Sequence, residues 1–320
     1  MHAAANNLRG GVSPRFTRLR GQSIIEYVLI IAVIGLAIVF AGPGVAGAIR
    51  NQFNLVGNTV NSWTTGGGTE GGGASGGGDT GTASATVQAA IAKDAKDWTL
   101  GEQEAVAEDI AAKGEASPAF AKAKAAMDAG TKFSMKLTNG ETMAYRIVGI
   151  NRDDLADGTG KTGLTFEATN NALAVQRMNA TRTNVGGWKQ SELRGRLNTG
   201  DLWALLPSEF QSKVNPVTKM TDNKDGGSAG TTSATTDKVF LLSTTEVYGD
   251  LQSDGAQYEY YKSKGVTTSS YSGASSSNNH WTRSVASSYS ATFRYISGGG
   301  AWGSDYTATN TSCVFPAFCF

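Results

Sequence analysis

The sequence predicts an α+β protein in three stages: a long N-terminal membrane or assembly helix, a glycine-rich tether, and a C-terminal mixed α+β domain with a loop-rich β half. Three observations predict it. The run Val28 to Ala41 is apolar, carries no charge and follows a basic leader. The stretch 64–86, TTGGGTEGGGASGGGDTGTASAT, holds no large apolar side chain, so nothing in it offsets the entropy of an ordered backbone. Beyond it, helix-capping signals alternate with period-two strand patterns on either side of Asn139-Gly140.

Taken in order, residues 1–21 form a basic leader in which Arg15, Arg18 and Arg20 keep the amino terminus on the cytoplasmic side. Residues 22–63 form the transmembrane and assembly helix. Its oddity is Glu26, because a carboxylate inside a membrane-length helix costs roughly 2.5–3.5 kcal/mol without a partner. Cleavage after Gly21 makes the amine of Gln22 a cation with a pKa near ~8, and Glu26 is then fifth from a charged terminus. The segment Gly21-Gln-Ser-Ile-Ile-Glu26-Tyr27 resembles the type IV prepilins of the tight-adherence (Flp) type over about 45 residues. That resemblance implies a prepilin peptidase acting between Gly21 and Gln22, and assembly with other pilin subunits in which Glu26 meets a neighbour's amine beside Tyr27. Two competing explanations are a secretory signal peptide cut near Ala46-Gly47-Ala48 and an uncleaved anchor spanning Ile24 to Pro43. Neither accounts for the spacing of glycine and glutamate. All three place the bulk of the chain outside the cell membrane.

Gly42-Pro43-Gly44 breaks or kinks the apolar helix, after which Val45, Ile49, Phe53, Val56 and Val60 form an amphipathic stripe reaching Trp63. The linker 64–86 spans roughly 25 Å as a random coil and about 75 Å fully extended. Residues 87–130 read as a helical segment, with Thr99 and Glu102 as a capping box that separates two helices. A further helix runs from Ser117 to Ala129, closed by Gly130.

The globular domain is assigned to 131–320. Phe133 to Leu137 and Thr142 to Ile150 flank the Asn139-Gly140 turn, Leu164 to Ala168 is a third strand, and 151–163 is a polar loop. Helices are expected over Ser191 to Asn198, Asp201 to Leu206 and Glu209 to Lys213, and a strand over Lys238 to Ser243. The remainder reads as short strands, including Ala291 to Ile296 and a single closing strand Cys313 to Phe320. An extended strand would hold Cys313 and Cys319 about 20 Å apart, beyond disulfide reach, and a bridge requires Phe315-Pro316-Ala317 to turn, so two separate core thiols and a short disulfide loop are both open from the residues alone.

Four segments, YRIVGINRDDLADGTGKTGLTFEA, GGWKQSELRGRLN with DLWALLPSEF, TTDKVFLLS, and HWTRSV with VFPAFCF, resemble a largely uncharacterised family of bacterial cell-surface domains. The Trp-x-Arg-Ser with glycine-rich strands and the terminal Pro-Ala-Phe also resemble C-type-lectin-like folds, which implies a loop-borne ligand site. A formal charge of +1 gives no reason to expect nucleic acid. No cofactor, metal site or enzymatic activity is expected. His280 is the one histidine outside the leader, Asp153, Asp154 and Asp157 lack the EF-hand spacing, and Gly160-Lys161-Thr162 lacks the earlier glycine of a P-loop. The ligand-binding residues expected are Tyr271, His280, Trp281, Arg283, Tyr289, Trp302 and Tyr306, which combine stacking planes with hydrogen-bonding groups suited to an extracellular glycan or protein.

Overall fold

The computed structural model describes residues 83–223, 232–249, 251–252, 254–286 and 289–320, all within a unit that clusters as 71–320. The leader, the apolar helix and nearly all of the tether lie outside the described residues, and no described helix is long and apolar enough to cross a membrane.

The domain opens with α1 (Ala85–Ala92), α2 (Leu100–Lys113) and α3 (Phe120–Ala129). Ser84 caps α1, and the expected capping box of Thr99 and Glu102 starts α2 in both directions. Gly130 ends α3 in the left-handed conformation, as a glycine without a Cβ can. The helices are not a separate layer. The indole Nε1 of Trp98 donates to the Ala90 carbonyl, the Gln103 amide donates to the Trp98 carbonyl, and the Tyr145 hydroxyl donates to Gln103 Oε1 at 3.0 Å. Gly163 lies against the Ala107 carbonyl of α2, where any Cβ would overlap backbone.

Tyr145 belongs to the first of two five-stranded sheets. This sheet contains β1 (Phe133–Lys136), β2 (Thr142–Ile150), β3 (Leu164–Ala168), β12 (Ala317–Cys319) and β7 (Val239–Phe240), in that spatial order. The expected β1–β2 hairpin forms, with Gly140 N–H returning to the Leu137 carbonyl. The second sheet contains, in chain order, β4 (Val175–Arg177), β8 (His280–Val285), β9 (Thr292–Ile296), β10 (Trp302–Thr307) and β11 (Thr311–Cys313). Its spatial order is β10-β9-β8-β11-β4, which leaves β10 and β4 as edges. A two-stranded ribbon pairs β5 (Val217–Asp222) with β6 (Thr232–Asp237).

Among the described residues six short α-helices connect the strands: α4 (Gly187–Gln190), α5 (Glu192–Asn198), α6 (Asp201–Ala204), α7 (Ser208–Lys213), α8 (Thr244–Tyr248) and α9 (Glu259–Ser263). The architecture is therefore the mixed α+β class expected for this region. The closing segment differs from expectation. Residues 313–320 form two strands in two sheets, because Pro316 has no N–H for a ladder and the chain crosses at Val314-Phe315-Pro316. Both cysteines are free and buried, one in each sheet.

The core of the first sheet is aromatic. Phe166 stacks on Phe318 at 5.4 Å, Phe210 meets Phe318 edge-on at 4.8 Å, and Phe133 packs between Trp98 and Tyr145. Because Phe133 and Tyr145 lie on β1 and β2, the core needs residues from both halves of the domain. We expect a fragment covering 83–320 to unfold in one cooperative transition, and one covering 160–320, which lacks β1, β2 and all three N-terminal helices, to lack fixed tertiary structure. Near-ultraviolet circular dichroism of the two fragments checks this; a native-like signal from the shorter one would mean the helices and first hairpin are dispensable.

Candidate functional site

The structure separates the expected ligand residues into two groups. His280, Trp281 and Arg283 all lie on β8, which is flanked by β9 and β11 and buried along its whole length. They are turned into the domain, and the expectation that they face a ligand is corrected. The reason is position: a central strand covered on both faces leaves no side chain to solvent. His280 stacks on Phe315 at 4.3 Å, and Trp281 donates from Nε1 to the Gln176 carbonyl at 2.7 Å. Tyr271 and Tyr289 are exposed, at 39% and 54%, while Trp302 and Tyr306 are half-buried on the edge strand β10. Gly21, Gln22, Glu26 and Tyr27 lie outside the described residues.

Arg283 anchors a buried ion network. Its Nη1 and Nη2 form a bidentate pair with Glu246, and they also reach the carbonyls of Leu241, Met220 and Asp254, while Nε donates to Thr221 Oγ1 at 2.9 Å. Lys219 joins in, with its ammonium 2.6 Å from Glu246 and 2.7 Å from Asp153. Asp153 accepts in turn from Thr165 and Tyr258. Burial opposes the Glu246 charge, but the adjacent Arg283 and Lys219 outweigh it and hold the carboxyl below its usual range. Asp153 is likewise opposed by burial and held low by Lys219. The sequence reading treated Asp153, Asp154 and Asp157 as one loop. Here they diverge: Asp153 points into the core, Asp154 pairs with Lys161, and Asp157 accepts from Thr159.

The edge of the second sheet has a different character. Tyr295 of β9 lies across Gly303 of β10, where a Cβ would overlap its ring, and stacks on Tyr306 at 4.2 Å with a 31° tilt. Tyr306 meets Trp281 edge-on at 5.6 Å, and its hydroxyl accepts from Asn279 Nδ2 at 3.1 Å. Burial, and after it the Asp305 carboxylate, push the Tyr295 hydroxyl above its ordinary pKa. On the opposite face of the same strands Trp302 lies under the guanidinium of Arg294, 4.8 Å from its ring centre. Two half-buried rings, an exposed carboxylate and a guanidinium-backed indole thus line one sheet edge. This is the candidate site.

Sequence reasoning missed Tyr295, Arg294 and Asp305. The strand Ala291 to Ile296 was legible, but which of its faces met the edge aromatics depends on pairing with β10. A cleft of about 360 Å³ also lies between α3, α9 and the end of β2, walled by Phe120, Met127 and Ile150. Among the described residues no three His, Cys, Asp or Glu side chains are placed to hold a metal ion.

A family model matches residues 160–320, just over half of the chain. The chain belongs to the family described as a domain of unknown function, DUF6273. No curated protein and no solved structure matches it. The DUF6273 match takes in the whole second sheet and the candidate edge, but begins inside the loop before β3, so the first sheet draws β1 and β2 from outside it.

Two predictions follow from the buried groups. Glu246→Gln leaves Arg283 and Lys219 without one of their two carboxylates, and the expected loss is about 3–5 kcal/mol in urea unfolding. A loss below about 1 kcal/mol would make the network energetically neutral. The second concerns His280, whose pKa burial lowers from 6.5 to about 4. In that window the unfolded chain binds the proton and the folded one does not, so His280 contributes stability in full above pH 6.5 and loses it as pH falls to about 4. The gap corresponds to about 3 kcal/mol. Glu167, raised by burial, acts in the opposite sense, so the comparison to make is with His280→Phe. That variant should flatten the decline between pH 6.5 and 4; an unchanged slope would assign the acid sensitivity elsewhere.

Proposed function

We propose that this chain is a type IV pilin-like subunit that displays a tethered extracellular binding domain. Residues 22–63 assemble with other pilin subunits in the cell membrane, 64–86 act as a spacer, and the domain engages an extracellular glycan or protein through the edge of its second sheet. The observation that carries the reading is the spacing in Gly21-Gln22-Ser23-Ile24-Ile25-Glu26-Tyr27, immediately ahead of an uncharged apolar run. A buried glutamate placed there has a reason only if a new amine forms at Gln22, and the resemblance to tight-adherence prepilins points the same way.

Two features of the domain support display. Its first described helix, Ala85–Ala92, is capped by Ser84, so the domain begins within the last residues of the glycine-rich stretch. Its edge strand carries half-buried Trp302 and Tyr306, and Tyr271 and Tyr289 are exposed, a composition suited to stacking and hydrogen bonding rather than to catalysis. No reaction is assigned.

Amino-terminal sequencing of the mature protein tests the reading. The expected terminus is Gln22, and Gly21→Leu should leave the precursor uncut. Glu26→Ala should enter the membrane as well as or better than the native chain yet be lost from filaments. A mature terminus at Ala46 or beyond would replace the pilin reading with signal-peptide export. Equal incorporation of Glu26→Ala, or membrane protein with no filaments, would leave a monomeric membrane-anchored binding protein.

A further inference from the structure

We propose that Arg294 recognises a carboxylate on an acidic glycan that docks at the Trp302 end of β10. The inference rests on the reading of this edge as the ligand surface and adds the chemical class of the ligand.

The observation is a contrast among arginines. Arg146 pairs with Glu167, Arg152 with Glu259, Arg194 with Asp237, Arg196 with Asp201 and Arg283 with Glu246. Arg294 is 9% exposed, less buried than the fully enclosed Arg283, and among the described residues it makes no ion pair with a carboxylate. Its Nε and Nη1 are enclosed and have no hydrogen-bond partner, whereas Nη2 is not among the enclosed atoms. A buried, unpaired guanidinium is costly, and few native structures retain one without a use. The guanidinium carbon lies over the Trp302 ring, 4.8 Å from its centre. A cation held over an indole keeps its N–H groups available to a further acceptor.

Both bidentate edges of a guanidinium, Nε with Nη2 and Nη1 with Nη2, include the nitrogen that is not enclosed. A planar acceptor arriving at Nη2 therefore lies beside an orphan donor whichever edge it takes. A carboxylate matches that fork in shape and charge. A phosphate or sulfate, with more charge or a tetrahedral spread of oxygens, calls for further cations. The charged group that acts on Arg294 is instead Asp254, a carboxylate that makes no ion pair with it. The surroundings favour a sugar as the carrier. The turn that leads into Trp302 packs at Gly300 against the Tyr271 carbonyl and the Ser275 amide, and the exposed Tyr271, Ser272 and Ser275 provide hydroxyl groups rather than an apolar groove for a peptide.

The test uses the full-length chain in mild detergent with oligogalacturonate and its methyl ester, which share a sugar ring and differ in the carboxylate, together with an array of acidic and neutral glycans. The acid should bind at least about tenfold more tightly than the ester, as a charged hydrogen bond warrants. Arg294→Gln should remove that preference without lowering the melting temperature, since it removes an unpaired buried charge, and Arg294→Lys should retain part of it. Acid and ester bound alike, or a preference surviving in Arg294→Gln, would overturn the carboxylate while leaving the edge as the ligand surface. Binding only to neutral glycans, or no acidic glycan bound at all, overturns the inference too. Binding unaffected by Trp302→Ala, Tyr306→Ala and Arg294→Gln alike removes the surface itself, and the inference with it.

Discussion

The bidentate pair of Arg283 and Glu246, with Lys219 and Asp153 beside it, is the constraint on which the domain depends. Two cations and two anions meet in the interior, drawn from the loop after β2, from β5, α8 and β8. Each of these segments reaches the core from a different part of the chain, and none can withdraw without leaving a charge unpaired. Such a network is weak evidence of stability, because the desolvation it demands is large. Its effect is on selection between arrangements. A register slip of one residue in β8 would turn Arg283 to the other face, away from Glu246 and from the carbonyls of Leu241, Met220 and Asp254. Lysine could not replace it, since all three guanidinium nitrogens are used in fixed directions.

A second buried pair does similar work for the first sheet. Arg146 of β2 meets Glu167 of β3 and donates to the hydroxyls of Tyr260 and Tyr261 on α9, and the Tyr261 hydroxyl donates to Glu167. Burial raises the Glu167 pKa, and the Arg146 cation and the Tyr261 hydroxyl counter it only in part. Polar side chains thus bind α9 onto a sheet whose other contacts are aromatic. This follows from the composition. With 41 glycines and few charges, the chain has little apolar surface to spare in its loops, and several of its described ion pairs, such as Lys96–Asp97 and Lys124–Asp128, stay at the surface while these two groups lie inside.

What was legible in the sequence is what acts over four residues or fewer. The Thr99–Glu102 capping box, the Gly130 stop and the Asn139-Gly140 turn all form, because each is decided by a few residues and the backbone next to them. The helix Thr244–Tyr248 carried the same kind of signal, a Ser243–Glu246 capping box, and sequence reasoning missed it. Strand order was not legible. The closing segment VFPAFCF reads as one apolar strand until Pro316 divides it between sheets, and β4 pairs with residues more than 130 positions away. The site suffered most. His280, Trp281 and Arg283 have the composition of a binding surface, and only the placement of β8 between β9 and β11 makes them interior. Arg283 and Arg294 are the same residue on adjacent strands; one has every nitrogen bonded, the other has two with no partner, and no local pattern distinguishes them.

The edge that carries the candidate site also has to avoid pairing with copies of itself. An unpaired strand edge is a template for another strand, and on a filament such as the one proposed, neighbouring domains would face one another at high local concentration. β10 has two features that oppose this. Its register against β9 shifts between Gly303 and Tyr306, which bends the strand, and Asp305 places an exposed carboxylate at that irregularity. A second copy approaching edge to edge would bring two such carboxylates together. The same bulge changes which residues share a face, so that Trp302 lies with Arg294 while Tyr306 lies with Tyr295 and Trp281. One irregularity in a six-residue strand therefore guards the edge and sorts its aromatics onto two faces, which is why the site is found at the edge and not on the strand with the richest sequence.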